Sequence, residues 1–301
     1  MSANLITILG PTASGKTRLA VRLAKDLNGE IISADSRQVY RGMDIGTGKD
    51  IEDYIIDGSQ IEYHLIDIID PEDEFNLFEF KRKFYQIFDL ITLKGKLPFL
   101  AGGTGLYISS IIQNYKLKKA DFTSDRAEEL RRFSLNKLQD ILFSKRSDLH
   151  NKSDLSNKER IIRAILIEEA ESEEKGNIPV IDSVVIGIKV ERETIKKRIT
   201  DRLKKRLNTG MIEEVENLIK SGVSFERLDY FGLEYRYIGL YLKGELNYDD
   251  MFRKLNHAIH NFAKRQMTWF RKMEREGIII NWIEAEDYIK AKQIIMGNLN
   301  V

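Results

Sequence analysis

The chain has 301 residues, enough for one large or two ordinary domains, and its 42% apolar and 32% charged residues are an ordinary globular balance. It has no cysteine, which excludes disulfides and thiolate metal sites. Of His64, His150, His257 and His260 only the last pair can share a helix face, too few for a zinc site. The net charge is +1, Met1-Ser2-Ala3 leads straight into apolar sequence without a signal-peptide pattern, and no apolar run is long enough to span a membrane, so a cytoplasmic protein is expected.

The first predicted element is a strand over 4–9, NLITIL. Then comes GPTASGKT (10–17), a G-x-x-x-x-G-K-[ST] pattern with Gly10, Gly15, Lys16 and Thr17 in the fixed places. Such a loop turns successive backbone N–H groups toward an anion, Lys16 adds a point charge, and Thr17 offers a hydroxyl to a magnesium ion. A helix over 16–28 follows, with Leu19, Leu23 and Leu27 on one face and Gly29 as its stop. Strand, loop and helix are the context this motif requires.

Further strand-like runs lie at 30–34, 63–68, 97–102 and 184–190, with a late one at 277–283 and a closing helix near 285–298. A helical pattern over 75–95 separates two of them. The alternation predicts an α/β fold: a P-loop NTPase-like core with a mostly parallel sheet flanked by helices. Between about 116 and 180 the chain is highly charged and lacks strand patterns. Helices are expected there at 125–144, starting at a capping box of Asp125 and Glu128, and at 157–173, with an acidic loop over 168–179. This segment is a helical insertion, leaving 1–115 and 181–301 as the core. Helices are predicted at 191–221, 229–242 and 248–276.

Charge is uneven. Residues 196–206, KKRITDRLKKR, carry seven basic residues and one acidic one, and 257–272 carry Lys264, Arg265, Arg271, Lys272 and two histidines with no acid. Either stretch suits a phosphate backbone or a solvated helix face. Ligands of open α/β sheets bind beyond the carboxyl ends of the strands. Three such exits carry notable residues: the phosphate loop, SADSRQVYRGMDIGTGK (33–49) with Asp35 just past a strand, and AGGTGLY (101–107) with Thr104. Asp35 is suited to chemistry beside the loop, or to capping a local turn. The only acid ending another apolar strand in the manner of a nucleotide hydrolase is Asp67.

These stretches, together with YHLIDIIDPEDEFNLFEF, LPFLAGGTGLYISSII, RIIRAILI, GMIEEV and KRQMTWFR, in order and across most of the length, resemble the tRNA dimethylallyltransferases. The resemblance is thinnest in the insertion. It implies that Gly10, Pro11, Thr12, Ala13, Ser14, Gly15, Lys16 and Thr17 hold the diphosphate of dimethylallyl diphosphate, with Mg²⁺ on Thr17 and Arg236 turned toward the same group. It implies Asp35 as general base for the exocyclic amine of the adenine beside the anticodon, with Thr104 positioning that amine. Ser36, Arg37 and Gln38, beside Asp35 and Thr104, match the part that reads the flipped base. Arg160 and Arg163 match a basic element touching the anticodon stem-loop of tRNA. The expected assembly is a monomer. Where the family often has a second arginine five residues before Arg236 and a glycine directly before the tyrosine, this chain has Phe231 and Glu234, and Lys158-Glu159 replaces a proline-arginine pair. The rival readings are a prenyltransferase of free AMP, a small-molecule P-loop kinase and a nucleic-acid-binding protein without catalysis.

Overall fold

The structure, a computed structural model, describes residues 3–145, 155–170, 179–285 and 287–299. It divides into two compact units, Met1–Asn114 with Pro179–Val301, and Tyr115–Ile178.

The larger unit is built on a six-stranded sheet in which every pairing is parallel. Its strands are β1 (Leu5–Leu9), β2 (Gly29–Ser33), β5 (Tyr63–His64), β6 (Leu97–Gly102), β7 (Ser183–Lys189) and β8 (Ile280–Glu284), in the order β5-β2-β6-β1-β7-β8. A short antiparallel pair, β3 (Ile55–Ile56) and β4 (Ser59–Gln60), was not apparent in the sequence pattern. The central strands are covered on both faces, which is why they read as unbroken apolar runs. Alternate residues of β1 separate the two cores. Leu5 and Leu9 face the core shared with helices α2 (Leu77–Leu93), α3 (Gly105–Ile112), α8 (Met211–Lys220) and α11 (Tyr248–Arg275). Ile6 and Ile8 face the core shared with α1 (Lys16–Asp26) and α12 (Tyr288–Asn298).

Several expected elements are shorter or divided. The pattern over 191–221 forms α7 (Arg192–Asn208) and α8, and that near 229–242 forms α9 (Phe225–Phe231) and α10 (Leu233–Leu242). The breaks fall at Gly210 and Gly232, at φ of 104° and 117°, which apolar periodicity cannot reveal. Helix α1 stops at Asp26, and Asn28 rather than Gly29 takes the left-handed conformation, at φ 51°. The strand expected over 63–68 ends at His64. Leu65 and Asp67 have positive φ, and the N–H groups of Asp67, Ile68 and Ile69 turn to the carbonyls of Gln38 and Val39. What was strand pattern thus becomes a brace for the 33–49 loop.

A buried ion cluster closes the opposite end of β2. Glu30 is 0% exposed and accepts from His64 (2.8 Å), Lys94 (3.0 Å) and Lys96 (2.8 Å). Burial pushes its carboxyl up, but hydrogen bonds from Lys96, His64 and Lys94 outweigh that and lower it from 4.5 to about 2. A depressed carboxyl stabilises fully above its unfolded value, and the contribution is lost as pH falls from about 4.5 toward 2. Glu30→Gln should therefore cost about 1.5–3 kcal/mol near neutrality. In melting experiments that deficit should shrink on acidification through the same range; a deficit independent of pH would contradict the assignment.

The smaller unit packs α4 (Asp125–Arg132), α5 (Leu135–Lys145) and α6 (Lys158–Glu169) around Ala127, Leu130, Leu138, Leu142, Ile161 and Ile165. The single helix expected over 125–144 is interrupted at the extended Phe133, and its cap is Ser124, one residue before Asp125, whose Oγ accepts from the Ala127 N–H at 3.4 Å. Helix α6 starts at Lys158 with Asn157 as its cap, and residues 171–178 of the expected acidic loop lie outside the described residues.

Candidate active site

Residues 10–17 join β1 to α1 as the motif requires. Gly15 is the N-cap of α1, so the loop's amides and the positive end of the helix meet at one place. Ser14 is buried, and its Oγ has no hydrogen-bond partner among the described residues. An orphaned buried hydroxyl in such a cradle fits an anion. Burial, the charge of Arg202 and, more weakly, that of Arg206 lower the Lys16 pKa to about 8, against the opposing pull of Asp35. The Lys16 Nζ lies 3.4 Å from the Pro11 carbonyl.

The acid and the hydroxyl do come together. The Thr104 N–H donates to the Ala34 carbonyl at 3.1 Å, and the Thr104 Oγ1 accepts from the Ser36 N–H at 3.2 Å. Asp35 lies between these two contacts, and its Oδ1 accepts from the Arg37 N–H at 3.0 Å. Asp35 closes a local turn and stands within electrostatic reach of Lys16. The loop carrying it is fastened from behind. One Glu214 carboxylate accepts from the N–H groups of Asp44 (2.7 Å), Ile45 (2.7 Å) and Gly46 (2.9 Å) and from the Tyr235 hydroxyl (2.8 Å). Buried Lys49 donates to the Tyr40 carbonyl and to Asp44, each at 2.6 Å, and to Asp67. Asp67, the strand-end acid weighed as a metal ligand, is thus held by a lysine.

The other expected site residues have the following surroundings. Thr12 has its N–H on the Gln266 Oε1 (2.9 Å) and its hydroxyl on Arg202, so it anchors the loop and does not offer that amide to an anion. Gln38 accepts from the Ser33 hydroxyl (2.9 Å) and donates to the Gly48 carbonyl (3.0 Å), which spends its amide inside the loop. The Arg37 guanidinium lies 5.0 Å from the Tyr230 ring centroid. Arg236 is exposed and paired with Asp229, because it lies about 200° around α10 from Glu234, which lines a small cavity with Arg202 and Arg206. The arginine that reaches the phosphate loop is Arg202. In the smaller unit, Arg160 is exposed, and Arg163 lies 4.7 Å over the Phe122 ring and 3.7 Å from Glu159.

Two of these roles were missed in the sequence although signals for them were present. Arg202 and Arg206 lie inside the basic run beside the inward stripe of Ile199, Leu203 and Leu207, which marks them as half-inward. Arg206 is only 7% exposed and is bound to Asp50 at 3.0 Å, so it leaves the set of basic residues available to a polyanion. Lys197, Lys204 and Lys205 are exposed.

A magnesium ion takes hard oxygen ligands and is usually held by one or two side chains plus substrate phosphates. The Thr17 hydroxyl, in the first turn of α1, is a hard oxygen of the kind that could join the ligand's own oxygens around such an ion.

Fold and site together define a P-loop α/β protein whose anion cradle shares one sheet edge with a carboxylate and a threonine hydroxyl. Residues 38–273 match the family described as IPP transferase, and residues 3–64 match that described as isopentenyl transferase. The chain belongs to the IPP transferase family. It is 51% identical over 303 residues to tRNA dimethylallyltransferase 1 of Syntrophus aciditrophicus, covering 99% of both chains. It is 52% identical over 298 residues to the protein of the same name from Geotalea uraniireducens, covering 98% of both. Among solved structures, it is similar to the tRNA isopentenylpyrophosphate transferase of Bacillus halodurans, at a TM-score of 0.70 and 32% identity, covering 98% of this chain and 96% of that one.

Proposed function

We propose that the protein transfers a dimethylallyl group from dimethylallyl diphosphate to the exocyclic amine of the adenine 3′ to the tRNA anticodon, releasing pyrophosphate. The observation that carries this reading is the junction of Asp35, Ser36 and Thr104 at the sheet edge where Lys16 stands. The names of the full-length relatives support it. The adenine amine is a weak nucleophile because its lone pair is delocalised into the ring. As nitrogen bonds the allylic carbon, the carbon–oxygen bond to diphosphate breaks and the amine gives a proton to Asp35. Thr104 orients the amine. Lys16 and the loop amides meet the charge growing on the departing oxygen, and Arg202 steadies their loop through Thr12. Mg²⁺ on Thr17, when bound, neutralises part of the diphosphate charge. An RNA loop lets the adenine swing out of its stack into such a site.

No described helix is long and apolar enough to cross a membrane. The reading includes a cytoplasmic monomer. The kinase alternative is disfavoured by Asp67, whose carboxylate is engaged by Lys49.

The test is mass spectrometry of nucleosides from tRNA incubated with the protein and labelled dimethylallyl diphosphate. Label on the adenine beside the anticodon is expected; label on free AMP, or none on RNA, would overturn the reading. A second measurement probes the RNA surface. Neutralising Lys197, Lys204 and Lys205 should weaken tRNA binding, and each lost phosphate contact should flatten the plot of log K against log salt by ~0.7–0.9. An unchanged slope would make this run a solvated helix face.

A further inference from the structure

Helix α11 buries a stripe of Met251, Leu255, Ile259, Ala263, Phe270 and Met273, and one polar residue, Gln266, takes the place between Ala263 and Phe270. Gln266 is 7% exposed, so both ends of its amide need partners. Its Oε1 accepts from the Thr12 N–H at 2.9 Å, and its Nε2 donates to the Gly103 carbonyl at 2.9 Å. The two partners lie 91 residues apart, one in the phosphate loop and the other beside Thr104. A donor on one side and an acceptor on the other require an amide; a carboxylate offers only acceptors. The fit is close, since a Cβ on Gly103 would lie 2.3 Å from the Gln266 Nε2. The helix itself is anchored independently, with Trp269 Nε1 donating to Ser109 Oγ at 2.8 Å.

We propose that Gln266 is a positioning residue that sets the distance between the donor loop and the acceptor loop of the prenyl-transfer site. The bridge runs from Thr12 through the amide to Gly103, and thence through Thr104 to the backbone of Ser36 beside Asp35. Its removal lets the two reacting groups be held separately but not in register. The inference rests on the function proposed above.

The experiment compares single-turnover prenylation of an anticodon stem-loop RNA by wild type, Gln266→Glu and Gln266→Met. Glutamate keeps the shape but loses the donor; methionine keeps the volume and loses both bonds. Each variant should melt below wild type, because the Thr12 N–H or the Gly103 carbonyl loses its partner, yet stay folded at the assay temperature and bind a thio analogue of dimethylallyl diphosphate and the RNA within about threefold, while transfer slows about 10- to 100-fold. A protonated glutamic acid regains one donor and one acceptor, and burial raises its pKa. The Gln266→Glu rate, relative to wild type, should therefore recover as pH falls, whereas the Gln266→Met ratio stays flat. Wild-type rates in the variants would overturn the inference. So would a loss explained by weaker binding or a smaller folded fraction, or a glutamate variant that acid does not rescue. Absence of transfer by wild type would instead overturn the proposed function, which keeps the two failures apart.

Discussion

Asp35→Asn leaves the protein folded and slows single-turnover prenyl transfer by ~10²–10⁴, the usual contribution of a positioned general base. Asparagine keeps an Oδ1 that accepts from the Arg37 N–H, so the turn closed by Asp35 persists. It cannot take the proton of the amine. Binding of tRNA should hold within a few-fold, since a neutral side chain replaces a carboxylate beside a polyanion. Melting temperature and single-turnover rate measured on one preparation decide the matter. A stable variant with near-normal rates would reduce Asp35 to its turn-closing role.

Lys16→Ala acts on the other half of the reaction. Losing one cation aimed at a departing oxyanion costs ~10²–10³ in rate, as does removal of a single donor at comparable sites. Affinity for tRNA should hardly change, and an equal loss of RNA binding would indicate damage beyond the loop. The charge state of Lys16 adds a pH signature. Burial and the neighbouring Arg202 lower its pKa to about 8, so the ammonium is present below that pH and is lost as pH rises through it. Affinity for dimethylallyl diphosphate should weaken across this range in wild type and show no such step in Lys16→Ala. Above pH 8, binding should take up a proton, because the bound anion favours the charged lysine. Calorimetry in buffers of different ionisation enthalpy reads that uptake directly.

Two acids of one strand region, Glu30 and Asp35, have different surroundings. Glu30 is enclosed by His64, Lys94 and Lys96 at one end of β2 and serves stability. Asp35 stands past the other end, where parallel strands direct their exits, beside Thr104 and within electrostatic reach of Lys16. Sequence position alone does not separate them; their partners do.

The phosphate loop, the parallel α/β core and the helical character of the insertion were legible because each depends on local order: a fixed spacing, buried strands reading as apolar runs, and a stretch without strand patterns. Asp35 and Thr104 were legible as a pair because strand exits in a parallel sheet converge on one edge. What local order could not carry was the direction of long polar side chains. Arg236 and Arg206 read as available cations, yet Arg236 is paired with Asp229 on the surface and Arg206 is buried on Asp50. Arg202, in the same basic run, is the one that reaches Thr12. Helix ends at Gly210 and Gly232 and the early end of β5 at Leu65 were set by backbone conformations that apolar periodicity does not encode. Gln266 shows the boundary most clearly. Its place in an apolar stripe is visible in the sequence and demands partners for its amide. Only packing of α11 against the sheet decides that those partners are Thr12 and Gly103, because a hydrogen bond between groups so far apart in the chain exists only once the core has brought their backbones within reach.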